Sequence, residues 1–294
     1  MKIYNLGSLN IDYVYAVDHF VAAGETLSSE NMTIFPGGKG LNQSVALAKA
    51  GAKVVHGAVV GDNGDFLIQT LQTAGVDVSK MKKIRGSCGH AIIQVDQKGE
   101  NCILLFPGTN HCMEKVYVEE VLADAEKGDI LLLQNETNGL DMIFEIAHQK
   151  QMQIAFNPSP LGRNIHTLPL NYVHWWFCNE IEGAALFGGN TPDEIAKAFL
   201  NQFPNSKLIL TLGDEGSMLI DSDSCIKQPI YKVPTVDTTA AGDTFTGFFL
   251  ASILAGKNVA ASLEIASRAA AIAVSRAGAS SSIPTMCEVC NTQF

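Results

Sequence analysis

Two short segments hold residue types and spacings that suit phosphoryl chemistry. One is Asp237-Thr238-Thr239-Ala240-Ala241-Gly242-Asp243-Thr244-Phe245. Ala240, Ala241 and Gly242 run into an apolar helical pattern, so their N–H groups can converge on one spot. Such a spot is an anion hole reinforced by the helix macrodipole. Asp243 falls in the first helical turn beside it. A carboxylate there can take a proton from an attacking hydroxyl while the hole stabilises charge on a transferring phosphoryl group. The competing reading makes Asp243 a helix cap. The run of three small residues favours chemistry, because a cap does not require it.

The other segment is Pro36-Gly37-Gly38-Lys39-Gly40-Leu41-Asn42-Gln43-Ser44, also followed by a helical pattern. Three glycines ahead of a helix let backbone approach a ligand closely and offer free N–H groups. A strand-to-helix turn needing positive φ would also explain them. Asn42, one turn into the helix, could hold a hydroxyl or make local bonds near the cap. The P-loop pattern Gly-x-x-x-x-Gly-Lys-Ser/Thr is absent, and Gly-x-Gly-x-x-Gly does not occur here.

The elements that must position these segments alternate. Apolar runs at Ile3–Leu6 and residues 54–60, 130–133, 154–156, 175–178 and 208–212 read as buried parallel strands. Helical patterns at 41–50, 66–74, 140–149 and 192–203 lie between them. This rhythm predicts an α/β domain with an open, mostly parallel sheet covered on both faces. Shorter alternating stretches at 13–17, 29–35, 91–96 and 101–106, with a hairpin turn at Gln97-Lys98-Gly99-Glu100, interrupt it. They predict a small β-sheet lid, discontinuous in sequence, from about 12–36 and 88–107 within a single domain spanning 1–294. Alanine-rich helical patterns at 242–255 and 259–277 should be largely buried.

The 294 residues can bury a large core, and 47% hydrophobic with 17% charged residues fits a globular chain. A formal net charge of −10 argues against nucleic acid or a membrane surface as partner. No apolar run approaches the ~20 residues of a bilayer span, and no signal peptide is visible. Seven scattered cysteines without a signal read as reduced thiols, so the expected location is cytoplasmic. Cys287-x-x-Cys290 has a suggestive spacing but no second pair or nearby His; two incidental thiols are the plainer reading.

The two motifs, in this order, resemble those of the ribokinase-like (PfkB) carbohydrate kinases, and within them the ribokinase branch. Gly51 and Gly61 stand at the expected distances, and the likeness extends through 7–12, 24–26, 99–101, 157–158, 179–182, 211–213 and 275–279. The resemblance implies ATP-dependent phosphorylation of a sugar hydroxyl, with D-ribose to ribose 5-phosphate the expected reaction. It implies Asp243 as base over an anion hole at Ala240, Ala241 and Gly242. Asn10, Asp12, Gly38, Lys39, Gly40, Leu41, Asn42 and Glu136 would hold the sugar, since each hydroxyl needs a directed partner once water is excluded. Asn179 and Glu182 match an Asn-x-x-Glu pattern that acts through water on Mg²⁺ and the phosphates. Thr211, Gly213, Asp214, Gly216 and Gly242 would lie along ATP, with Ser267 near the adenine. Asp237, Thr239, Ala273, Arg276, Gly278 and Ser282 match a monovalent-cation site, which would hold K⁺ through hard oxygen donors.

The chain also departs from the family. Leu41 is bulkier than the usual alanine, Phe248 replaces a small residue, Ser267 stands where a histidine can occur, and the lid carries Cys88, Cys102 and Pro107. Other readings are a nucleoside kinase, with Tyr13, Tyr15, Phe20 or Phe106 as a wall for the base, or a sugar-phosphate kinase, which would need more Lys or Arg near the sugar than Lys39. A non-catalytic ligand-binding protein on this fold and a redox role for Cys287 and Cys290 rank below these. A homodimer through the lid would cover an exposed small sheet.

Overall fold

The computed structural model describes residues 1–162 and 165–294. In chain order its strands are β1 Ile3–Leu6, β2 Asn10–Ala16, β3 Asn31–Gly37, β4 Val54–Gly57, β5 Val59–Val60, β6 Lys82–Lys83, β7 Gly89–Val95, β8 Asn101–Phe106, β9 Ile130–Gln134, β10 Gln153–Asn157, β11 Val173–Asn179, β12 Lys207–Thr211, β13 Ser217–Ile220 and β14 Cys225–Gln228. The α-helices are α1 Lys39–Lys49, α2 Asp65–Thr73, α3 Lys115–Val121, α4 Leu140–Gln149, α5 Glu180–Phe187, α6 Pro192–Gln202, α7 Ala241–Leu254, α8 Val259–Val274 and α9 Met286–Asn291.

Eight strands form one sheet in the order β14-β13-β12-β11-β10-β9-β1-β4. The pairs from β4 through β12 are parallel, and β13 and β14 add an antiparallel edge. This is the expected α/β architecture. Strand alternation divides the core in two. Ile3, Trp175 and Phe177 point to the face that packs Leu41, Phe248 and Phe249 of α1 and α7. Tyr4, Leu6 and Trp176 point to the other face, with Phe144 and Phe199 of α4 and α6. Near-continuous apolar strands are what burial on both faces requires.

The small sheet has the order β3-β2-β7-β8. Only Gly7, Ser8 and Leu9 separate β1 from β2, so Asn10 and Asp12 stand directly above the carboxyl edge of the main sheet. The hairpin turn forms where expected: Gly99 has φ +80°, and the Asp96 carboxylate accepts from the Lys98 and Glu100 N–H groups. The lid strands are poorly covered. Ile103, Leu104 and Phe106 on β8 are 55%, 68% and 49% exposed.

Two elements differ from the sequence expectation. The 54–60 run is two strands, the second leaving the main sheet to pair with Lys82–Lys83. The 259–277 pattern stops at Val274, because the chain turns through Gly278 at φ +94° to bring its N–H to the Asp237 carboxylate.

Candidate active site

The carboxyl ends of β9 to β12 meet the N-termini of α1 and α7, the usual place for a ligand in an open α/β sheet. A cavity of about 140 Å³ there is lined by Lys39, Asn157, Asn179, Glu182, Thr211, Gly242 and Asp243. A larger one, about 620 Å³, is lined by Thr211, Gly213, Asp214, Gly216, Gly242 and Ser267, together with Ile230, Tyr231, Lys232 and Val233. The two share Thr211, Gly242 and Phe245. The volume, mixed lining and adjoining helix N-terminus fit a nucleotide with its phosphates towards Gly242. A Cβ at Gly242 would meet nothing within 4 Å, so the first turn of α7 is open to a ligand.

Asp243 does not cap α7. The N-cap is Ala240, in the left-handed region at φ +62°, and no side chain caps the helix. The Asp243 carboxylate points instead across to α1 and is 7% exposed. Its Oδ2 accepts from Asn42 Nδ2 at 3.1 Å and its Oδ1 from Gln43 Nε2 at 2.9 Å. The three small residues are not equivalent. The Ala241 N–H bonds the Thr238 carbonyl at 3.2 Å. Gly242 and Asp243, inside the first turn, have no intrahelical acceptor for their N–H groups.

On the sugar side, Gly37 and Gly38 have separate reasons. A Cβ on Gly37 would lie 1.9 Å from Asp12 Oδ2, so this glycine makes room for that carboxylate. Gly38 ends the turn into α1 at φ +95°. Asn10 is turned by Asn110, whose Nδ2 donates to Asn10 Oδ1 at 2.8 Å, which leaves the Asn10 amide hydrogens for a ligand. Asn42 Oδ1 is buried without a hydrogen-bond partner, beside Asp243, where a hydroxyl would satisfy it. Glu136 accepts from Ser8 Oγ and, at 3.0 Å, from the Lys39 N–H. It serves the N-terminus of α1, which has no acidic residue in its own first turn. Burial pushes its carboxyl up, against the pull of Ser8 and Lys39. Burial alone would depress the Lys39 ammonium, but Asp243, Glu136 and Glu182 outweigh it and hold it above the usual lysine range. Gly40 and Leu41 belong to the packing around the site. Leu41 is fully buried in the core and its N–H bonds the Ser8 carbonyl.

Asp12 is pushed up to about 7, first by burial and then by the Glu136 charge. Unfolded, it ionises near 3.8. Between these values the native state keeps a proton that the unfolded chain has released, so stability falls as pH rises from about 4 to about 7 and then levels. Asp12→Asn should therefore raise Tm by on the order of 5 °C at pH 8 and leave it nearly unchanged at pH 4, while raising the sugar KM. Thermal scans at the two pH values check this; equal shifts at both would mean that Asp12 ionises normally.

Asn179 and Glu182 form a capping box on α5. The Glu182 N–H donates to Asn179 Oδ1 at 2.8 Å, and the Asn179 N–H to Glu182 Oε2 at 3.0 Å. Among the described residues no three His, Cys, Asp or Glu side chains gather to hold a metal directly. The two carboxylates at the cavity, Asp243 and Glu182, fit an ion of the Mg²⁺ type that keeps its waters and is carried largely by phosphate. Asp237 accepts from the N–H of Thr239 and of Gly278, both at 2.9 Å. Burial opposes its ionisation, but these bonds win and hold it below the usual range. The end of α8 and the 275–282 loop are thereby fixed beside an ionised carboxylate, an oxygen-rich setting that suits a hard monovalent cation. The Arg276 side chain turns away to Glu288 at 2.8 Å, leaving only its backbone to that loop.

Sequence reasoning missed the roles of Ser8 at Glu136, Asn110 at Asn10 and Asn157 on the smaller cavity, and also the 230–235 segment that walls the larger one. Pro229, just before that segment, and Pro234, within it, were the available signal.

A family model described as "pfkB family carbohydrate kinase" matches residues 2–286. The chain belongs to this family. This carbohydrate kinase is 33% identical over 291 residues to a ribokinase of Haemophilus influenzae, covering 95% of this chain and 94% of that one. Its structure resembles that of Cryptococcus neoformans ribokinase in complex with ADP, with TM-score 0.86, 32% identity and 98% of each chain covered. It also resembles Arabidopsis thaliana ribokinase complexed with ribose and ATP, with TM-score 0.86 and 25% identity, covering 98% of this chain and 97% of that one.

Proposed function

We propose that the enzyme transfers the terminal phosphoryl group of ATP to the 5-hydroxyl of D-ribose, with Asp243 as general base. One observation carries the reading: the Asp243 carboxylate is buried at the smaller cavity, next to Gly242, which both cavities share, and is held from both oxygens by amides of the sugar-side helix. The ribokinase relatives supply the substrate class. Asn10, Asp12, Asn42 and Glu136 bind the sugar, and its hydroxyl meets Asp243 Oδ2 as Asn42 turns to the ligand. Thr211, Gly213, Asp214, Gly216 and Ser267 line the nucleotide. The hydroxyl proton passes to Asp243 as the oxygen–phosphorus bond forms and the bond to the ADP oxygen breaks. Ala240, Gly242 and Asp243 N–H groups receive charge on the transferring group, with Lys39 beside them; Ala241 joins them when its N–H leaves Thr238. Asn179 and Glu182 would hold Mg²⁺ through water, and the ion would supply neutralisation of phosphate charge. Asp237, Thr239, Ala273, Arg276, Gly278 and Ser282 hold K⁺.

The same reading places the protein in the cytoplasm, where its seven free cysteines would stay reduced. It pairs two copies through the exposed apolar lid strands; a sedimentation mass of 31.5 kDa would exclude that pairing. ADP release with ATP, Mg²⁺ and K⁺ against ribose, deoxyribose, fructose, fructose phosphates and adenosine tests the reaction. Turnover should be highest with ribose and should fall when a large organic cation replaces K⁺. Highest turnover with another acceptor would overturn ribose, and equal rates in both cations would remove the site around Asp237.

A further inference from the structure

Behind Asp243 a buried chain of polar side chains runs from Gln43 into the centre of the main sheet. Gln43 Nε2 donates to Asp243 Oδ1 at 2.9 Å and to Asn157 Oδ1 at 3.2 Å. Gln43 Oε1 accepts from Gln134 Nε2 at 2.6 Å. Gln134 Nε2 also donates to Asn5 Oδ1 at 3.1 Å, and Asn5 Nδ2 donates to Ser44 Oγ at 2.8 Å and to the Gly40 carbonyl at 2.9 Å. Ser44 Oγ lies 2.7 Å from His56 Nδ1. Asn5, Gln43, Ser44 and His56 are 0% exposed and Gln134 is 1% exposed. They come from β1, α1, β4 and β9, so the chain ties the sugar-side helix to the centre of the main sheet.

Burying this many amides costs free energy unless their geometry is satisfied, and apolar side chains would fill the same volume more cheaply. Space is reserved for it: a Cβ on Gly7 would lie 2.5 Å from Gln134 Oε1 and 2.8 Å from Asn5 Oδ1. The polarity of the chain has one consequence at the site. Because Gln134 donates to Gln43 Oε1, the Gln43 carboxamide must present its NH₂ to Asp243. One carboxylate oxygen is thereby pinned, and the carboxyl group cannot spin. The other oxygen is held by Asn42, whose own Oδ1 has no partner, so that bond can be exchanged for a ligand.

We propose that Gln43 is a positioning residue for Asp243, with its amide orientation set by Gln134, and that it aims Oδ2 at the acceptor hydroxyl. The proposal rests on reading Asp243 as the base. Its test is steady-state kinetics and sugar binding by calorimetry for Gln43→Met and Gln43→Glu, each also made in an Asp243→Asn background. Gln43→Met, close in size but without a donor, should lower kcat ~30-fold and change sugar KM and Kd less than ~3-fold. Gln43→Glu keeps the shape but sets a second carboxylate against Asp243, and should cost a further ~10-fold in kcat. In the Asp243→Asn background Gln43→Met should cost less than ~3-fold, because nothing remains to aim.

A Gln43→Met kcat within ~3-fold of wild type, or the same fractional loss with and without Asp243, overturns the proposal. Should Gln43→Met fail to fold, Gln134→Met, which frees the Gln43 amide to turn, should give the same loss of kcat at unchanged KM; unchanged kcat there also overturns it. Near-normal turnover of the single Asp243→Asn variant would sink the base reading itself, which separates the two failures.

Discussion

Asp243→Asn should lower kcat by ~10³–10⁴-fold, the upper part of the ~10²–10⁴-fold range that a positioned base contributes to proton transfer, with charge stabilisation around it left in place. The fold should survive. The substitution is isosteric, and the one conflict it creates is an amide NH₂ facing the NH₂ groups of Asn42 and Gln43. Gln43 is fixed by Gln134, but Asn42 can turn and accept through its unpartnered Oδ1. Tm should therefore stay within about 3 °C of wild type, and sugar Kd should change little. Turnover, Tm and calorimetric sugar binding on one preparation check this. A loss of only a few-fold would mean that another group takes the proton. Glu182, on the wall of the same cavity, and Glu136 are the alternative carboxylates; Glu182 is engaged in its capping box with Asn179, and Glu136 Oε2 already accepts from Ser8 and Lys39.

The parallel sheet was legible because its strands are buried on both faces and so read as unbroken apolar runs between helical patterns. The antiparallel edge was not. Cys225–Gln228 is short and half-exposed, and Ser217–Ile220 reads like any buried run, so neither announces its direction. The two motifs were legible because glycines and small residues before a helix have few purposes. How the motifs meet was not. Asn42 and Gln43 lie about 200 positions from Asp243 in the chain, and nothing local says that both amides converge on one carboxylate. Asn179 and Glu182 illustrate a different limit. Their spacing fits both a phosphate-side pair and a capping box, and the structure forms the box while keeping both on the cavity wall. Leu41 sits inside the glycine motif by sequence yet points into the core, because helical periodicity turns it away from its neighbours Gly40 and Asn42.

Gly247→Ala should cost both stability and rate, although alanine is the better helix former by up to about 1 kcal/mol. A Cβ at this position would lie 2.4 Å from the Ala46 Cβ and 2.8 Å from the Leu47 nitrogen. Helices α7 and α1 thus touch almost backbone to backbone. Gly247 is one turn beyond Asp243, and Ala46 one turn beyond Asn42, so the contact sets the spacing over which both amides reach the carboxylate. Overpacking of this kind costs about 1–3 kcal/mol and outweighs the gain in helix propensity. Nor can α7 simply retreat. Every residue from Asp243 to Ser252 is buried, Phe248, the bulky departure from the family pattern, is fully enclosed, and Phe249 packs on Trp175 and Phe177 of the sheet. The strain must then open the α1–α7 seam and lengthen the bonds to Asp243. A displacement of about 1 Å at a reacting group is worth ~10²-fold in rate. Gly247→Ala is accordingly expected to lower Tm by ~2–6 °C and kcat by ~10²-fold. Thermal unfolding and turnover measured together decide it. A Tm at or above wild type with normal kcat would show that the seam has slack, and that the Asp243 geometry is set by the Gln43 chain alone.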